Sequence, residues 1–321
     1  MIRPRKAFAY WATKPPLSLI PFRWLKPAAQ SNLVILVYHA VSDSVPAHLK
    51  HLYYVRSVKQ FRDDLDFFER HFVPAGVDEL RAVIRGERLS SPHFIVSFDD
   101  GLREVYDVAA PVLSERNLTA MIFVNPAFVG NVDVMYRLKA SLLNDMLGSA
   151  DADPMSVGYA DRHRLDDMAR DITDLDRYRA DVKPYMDITQ LRHLAANGFI
   201  IGAHSVDHPH YSALSLTEQV QQTRESMNFV VDHFKPPLNF FAFPFTDDRI
   251  TTAFFKGIMD GRPPVIDATF GAVGMKRDSF ARNLQRVPME NYTGSASSII
   301  RYEMMASRLR GALGTNTIHR S

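Results

Sequence analysis

Short apolar runs recur along the chain, each followed by a polar cluster and then by a segment of helical periodicity. Residues 33–38, 94–98, 119–124 and 199–203 are nearly continuous in apolar side chains, as in strands buried on both faces. Residues 239–243 repeat the pattern, and 267–270 are a weaker instance. Ser57-Val58-Lys59-Gln60 forms a capping box ahead of Phe61, Leu65 and Phe68 at helical spacing. Val105, Val108, Ala109, Val112 and Leu113 share another helical face. Residues 187–197 predict a helix stopped by Gly198, Ser215-Leu216-Thr217-Glu218 opens a long one, and 251–259 predict a short one. Strands and helices alternating at this spacing predict a parallel α/β sheet, closed as a barrel or open.

Residues 126–186 break the rhythm. They are rich in Asp and Arg, with Met135, Leu138, Leu142, Leu143 and Met146 at helical spacing before a more polar stretch. They are expected to be a helical insertion that caps or flanks the site. Residues 1–30 form a third kind of segment. Arg3, Arg5, Lys6, Lys14, Arg23 and Lys26 lie there with Trp11, Trp24, Phe8, Tyr10 and Phe22, and the first acidic residue is Asp43. The preferred reading is an arm packed over the body of the protein. Basic residues interleaved with aromatics also suit peripheral contact with an anionic membrane. The expected organisation is therefore a basic aromatic arm (1–30), a main domain (31–295, insertion 126–186) and a C-terminal helix and tail (296–321).

Composition narrows the choice of function. A net charge of +2 argues against nucleic acid as the main partner. The absence of cysteine excludes thiolate ligation and cysteine catalysis. No stretch reaches the about 20 apolar residues a membrane-spanning helix needs, and the N-terminus is a poor signal peptide. A cytoplasmic protein is expected, or one peripheral at the inner face of the membrane.

The chemistry sits at the strand ends. His39 ends the first apolar run, Asp99 and Asp100 of Ser97-Phe98-Asp99-Asp100-Gly101 end the second, and His204 ends the fourth, with His208 and Pro209 close behind. In parallel α/β architectures these ends converge on one face. Two adjacent buried carboxylates are costly unless a metal or a reaction offsets them. One carboxylate and two imidazoles suit a divalent ion with room for a water, leaving the other carboxylate as a base. Pro209 disfavours helix at His208, so the His204/His208 pair belongs on a loop, with His210 an outer neighbour.

Together, Ser97-Phe98-Asp99-Asp100-Gly101 and His204-Ser205-Val206-Asp207-His208-Pro209 closely resemble the motifs of the polysaccharide deacetylases, carbohydrate esterases built on the NodB homology domain. The resemblance runs from about residue 33 to 290, leaving out most of the insertion. It implies a distorted (β/α)7 barrel and a divalent metal, usually Zn2+ (alternatively Co2+, Ni2+ or Mn2+), on Asp100, His204 and His208. It also implies that Asp99 is the general base. The family's third motif often carries an Arg and a Pro-Tyr pair; here Phe241-Ala242-Phe243-Pro244-Phe245 stands in its place. The backbone N–H of Phe245 could still hold an oxyanion, and Arg286 is a candidate substitute for the arginine that orients the base. The C-terminal Leu-x-His motif is missing, but Tyr38-His39-Ala40-Val41 matches the N-terminal motif of the biofilm exopolysaccharide deacetylases, which implies His39 as general acid.

The expected activity is removal of N-acetyl groups from amino sugars of a glycan or a lipid-linked intermediate, releasing acetate. Deformylation, O-acetyl ester hydrolysis, or a silent carbohydrate-binding homologue are the alternatives. Two histidines and a carboxylate also serve Fe(II) oxygenases, but those usually have a double-stranded β framework. The sequence is silent on oligomeric state.

Overall fold

Seven parallel strands close on themselves in this computed structural model, which describes residues 30–147, 154, 157–172, 175–261, 264–291 and 293–321. The strands are β1 (Leu33–Tyr38), β2 (His93–Phe98), β3 (Ala120–Val124), β4 (Ile200–Ala203), β5 (Phe240–Ala242), β6 (Ala268–Gly271) and β7 (Asn283–Pro288). Each pairs in parallel with the next, and β1 pairs with both β2 and β7, which closes a (β/α)7 barrel. The two-residue strand Val73–Pro74 adds to β2 outside the ring. Apart from Gln30, the basic aromatic arm lies outside the described residues.

The six barrel strands predicted from apolar runs are all present. The seventh, β7, is not signalled by the pattern, because Asn283, Gln285 and Arg286 interrupt its apolar residues. Alternation then sorts the side chains by layer. Leu33, Ile35, Ile95, Met121, Phe123, Phe240, Phe270 and Leu284 fill one cluster, closed by Leu80 and Val83 of a helix the pattern also missed, Val77–Ile84. Val34, Leu36, Tyr38, Val96, Phe98 and Ile122 belong to the other, packed against the surrounding helices. A strand buried on both faces has to be apolar throughout, which is why most strands were visible in the sequence.

The predicted caps hold. Ser57 caps α1 (Val58–His71) and Ser215 caps Leu216–Phe234 with reciprocal capping boxes, and Asp187 does the same for Ile188–Ala196. The segment after β2 opens as a π-turn, Val105–Ala109, before continuing as Ala110–Ser114. The insertion is helical over Tyr136–Leu147, Arg162–Ile172 and Leu175–Val182. Met135, Leu138 and Leu143 join Leu165, Ala169 and Tyr185 in a third cluster that reaches Ala40, Leu102 and Phe245. Met146, on the same spacing, is 58% exposed. Among the described residues no helix is long and apolar enough to cross a membrane.

The barrel is tight around β4. A Cβ on Gly202 would lie 2.7 Å from ring atoms of Phe123 and 2.9 Å from the Phe240 carbonyl. Gly202→Ala is therefore expected to lower stability by about 1–3 kcal/mol, the usual cost of overpacking. Urea denaturation checks it; an unchanged midpoint would show that β3 and β5 can separate to admit the methyl.

Candidate active site

Every predicted site residue lies on the C-terminal side of the barrel. His39 follows β1, Asp99 and Asp100 follow β2, His204 and His208 follow β4, Phe245 follows β5, and Arg286 is within β7. His39, Asp99, His204, His208 and Phe245 line a cleft of about 630 Å3, with Tyr53 among its other lining residues.

The two adjacent aspartates face different partners. Arg286 grips Asp99 in a two-pronged pair, Nη1 to Oδ1 at 2.6 Å and Nη2 to Oδ2 at 2.8 Å. The guanidinium is itself held by Ser97 Oγ and the Gly271 carbonyl and lies over the Phe123 ring. Burial pushes the Asp99 carboxyl up, but Arg286 and the nearby histidines outweigh it and hold it below the ordinary carboxylate value. Asp99 thus stays ionised in a buried place.

Asp100 turns to the histidines. Its Oδ1 lies 3.2 Å from His208 Nε2 and 3.5 Å from His204 Nε2. One donor atom from each of the three residues falls within 4.8 Å of the others. His204 Nδ1 is tied to the Ala242 carbonyl at 2.8 Å, which orients Nε2 toward Asp100. Burial drives the His204 pKa down to about 4, so its imidazole is neutral, as a ligand must be. Asp100 Oδ1 is buried and makes no hydrogen bond of acceptable geometry despite its closeness to the two rings. An orphaned carboxylate oxygen facing two imidazole nitrogens is a donor set suited to a divalent cation.

The loops that carry these groups hold them in costly conformations. Asp100, Ser205, His208 and Phe245 all have positive φ, between 58° and 69°. Non-glycine residues adopt this region rarely, and such strain clusters where the surroundings over-determine a site. Locally, Ser205 Oγ accepts from the His208 N–H at 3.1 Å. Asn125 donates to the His204 carbonyl and, at 3.1 Å, to that of Ser205. The His204/His208 pair lies on a loop, as Pro209 predicted, and His210 stacks on Phe245 away from the donor cluster.

His39 faces the same cleft, its side chain 24% exposed. Two residues place it that sequence reasoning did not single out. Glu290 Oε2 lies 2.5 Å from His39 Nδ1, and Glu290 Oε1 accepts from the N–H groups of His39 and Ala40. Burial pushes the imidazole pKa down, but the Glu290 charge and hydrogen bond outweigh it and raise it to about 9. Tyr53 stacks on the His39 ring at 3.9 Å between centroids and donates to Asp100 Oδ2 at 3.0 Å. Recognising β7 would have exposed Glu290, since it stands just past a strand end as the other site residues do. Tyr53 sits in a loop with no periodic signal.

The sequence model of the polysaccharide deacetylase family matches residues 86–254, just over half of the chain. The chain belongs to the polysaccharide deacetylase family, hydrolases that act on the amide bonds of N-acetylated sugars. Among solved structures it is similar to the deacetylase PplD of Streptococcus pyogenes, at 15% identity and a TM-score of 0.57, covering 84% of this chain and 97% of that one. It is similar to IcaB from Ammonifex degensii at 18% identity and a TM-score of 0.55, covering 85% and 97%. A de-N-acetylase from Aggregatibacter actinomycetemcomitans matches at 14% identity and a TM-score of 0.55, covering 84% and 99%. At these identities the likeness establishes the fold. No curated protein sequence matches the chain significantly.

Arg286 and Asp99 form a buried pair, and removing one member strands the other's charge. Arg286→Met should cost about 3–5 kcal/mol, and adding Asp99→Asn should recover most of it. Chemical denaturation of the two variants checks this. A double variant no more stable than the single one would mean that Arg286 serves packing rather than charge.

Proposed function

We propose that this chain removes N-acetyl groups from amino sugars of a glycan or a lipid-linked glycan intermediate, using a divalent ion, usually zinc, held by Asp100, His204 and His208. The observation that carries this is the unequal treatment of the two neighbouring aspartates. Asp100 is turned to two imidazole nitrogens, whereas Asp99 is locked by Arg286 with its charge intact.

The roles follow from those environments. The ion, when bound, acidifies a water and polarises the amide carbonyl. Asp99 takes the proton from the attacking water, because Arg286 keeps it ionised and oriented. His39 lines the same cleft; Glu290 at Nδ1 keeps its imidazole doubly protonated, and the other ring nitrogen, Nε2, gives its proton to the departing amine. The Phe245 N–H has no partner among the described residues and sits at the centre of a tight three-residue turn, Pro244 to Thr246, beside His208. It is the donor that steadies the developing oxyanion. Acetate leaves and the sugar amine gains a positive charge. The basic, aromatic stretch 1–30 suits a substrate carried on a lipid at a membrane surface.

The test is acetate release from N-acetylhexosamine oligomers and lipid-linked sugars, comparing metal-stripped protein with protein given zinc back. Zinc-dependent release is expected, and the preferred substrate assigns soluble or lipid-linked glycan. Formate release, or hydrolysis of O-acetyl esters alone, would overturn the assignment of the acyl group. Asp99→Asn should lower kcat by about 10²–10⁴-fold with zinc affinity retained; zinc lost together with activity would contradict the division of roles.

The pH profile is a separate prediction. Asp99 is ionised from below its ordinary range upward, and His39 stays protonated until about pH 9. Activity should therefore fall on the alkaline side near that pH. Glu290→Gln removes the charge that raises His39, so the alkaline limb should move to lower pH. A limb that stays in place would show that another group sets it.

A further inference from the structure

The turn that carries Phe245 is anchored by a buried charge cluster outside the cleft. Two residues past Phe245, Asp247 is 1% exposed. Its Oδ2 accepts from Asn283 Nδ2 at 2.8 Å and Gln285 Nε2 at 2.7 Å, both on β7. The same Asn283 amide donates to Asp278 Oδ2 at 2.9 Å, so two buried carboxylates converge on one amide group. The seat is tight, since a Cβ on Gly271 would lie 2.7 Å from Asp247 Oδ2.

The counter-charge comes from the segment after the last helix, Ala296–Ala312. Thr317–Ile318 pairs with Arg277–Asp278, and this places the Arg320 side chain, 3% exposed, between the two acids. Arg320 Nη2 donates to Asp247 Oδ2 and, at 2.6 Å, to Asp278 Oδ2. Its Nε reaches Asp278 Oδ2 at 3.0 Å and its Nη1 the Asp247 backbone carbonyl at 2.5 Å. The guanidinium lies over the Phe255 ring. Among the described residues it is the one cation paired with either acid.

We propose that Arg320 is a positioning residue for the reaction: by neutralising Asp247 and Asp278 it seats the turn at residues 243–249 and so aims the Phe245 N–H into the cleft. This rests on the assignment of Phe245 as oxyanion donor. The left-handed backbone at Phe245 persists only if its neighbours hold it. Without Arg320, two like charges meet in a buried place at a single amide. Turning Asp247 out to water relieves this and carries the turn with it.

Two readouts on Arg320→Ala test the proposal. Hydrogen exchange of residues 243–249 should quicken at least tenfold while that of 204–208 stays as in the wild type. In the zinc-loaded protein kcat should fall about 10²-fold, the usual cost of a lost or misplaced oxyanion donor, with KM and zinc affinity little changed and part of the rate restored by added guanidinium. Wild-type exchange in 243–249, or a wild-type kcat per folded molecule, would overturn it. Should Arg320→Ala fail to fold, Arg320→Gln, which removes the charge but keeps amide N–H donors beside both acids, is read by the same criteria. If the wild-type chain releases no acetate, the proposed activity fails, whereas the exchange measurement still decides whether Arg320 seats the turn.

Discussion

Two ionised carboxylates on consecutive residues cannot be buried side by side without separate means of compensation, and the architecture around Asp99 and Asp100 supplies two. Arg286 reaches Asp99 from β7 and matches its two oxygens with two N–H groups. His204 and His208 reach Asp100 from the loop after β4, with nitrogen atoms placed to share a cation with it. The left-handed backbone of Asp100 turns its carboxylate away from the one before it. Charge compensation therefore gives the two aspartates different surroundings, and the roles proposed for them, base and ligand, rest on that difference.

A closed parallel barrel makes that sorting achievable. Residues 39, 99, 204, 245 and 286 are far apart in the chain but stand at or near the ends of strands that point the same way. The price is paid in the loops, where polar backbone must turn sharply near the site and four non-glycine residues take up positive φ. Asn125, Ser205, Tyr53 and the Asp247 cluster meet that demand with hydrogen bonds rather than apolar packing. The insertion adds an apolar cluster that reaches Phe245 on one side of the cleft.

Most of this was legible in the sequence, for a physical reason. Strands buried on both faces are apolar throughout, so β1 to β6 announced themselves, and the residues that ended three of them included His39, Asp99, Asp100 and His204. The seventh strand escaped because two of its four buried positions, Asn283 and Arg286, are polar. Asn283 is satisfied by Thr269, Asp247 and Asp278, and Arg286 by Asp99, so burial there leaves no apolar signature. Missing that strand hid Glu290, whose role depends on standing just past its end. Arg286 was picked out only as a substitute for an absent motif residue, and its contact with Asp99 is a matter of register that no spacing conveys. Tyr53 and Arg320 lie in segments where sequence carries almost no pattern at all.

The most direct test of the division between Asp99 and Asp100 is anomalous diffraction from crystals of the zinc-loaded protein. One zinc ion is expected, ligated by Asp100, His204 Nε2 and His208 Nε2, with the Asp99–Arg286 pair intact beside it. Zinc bound through Asp99, with Arg286 released, or zinc bound elsewhere with the three donors empty, would contradict the account.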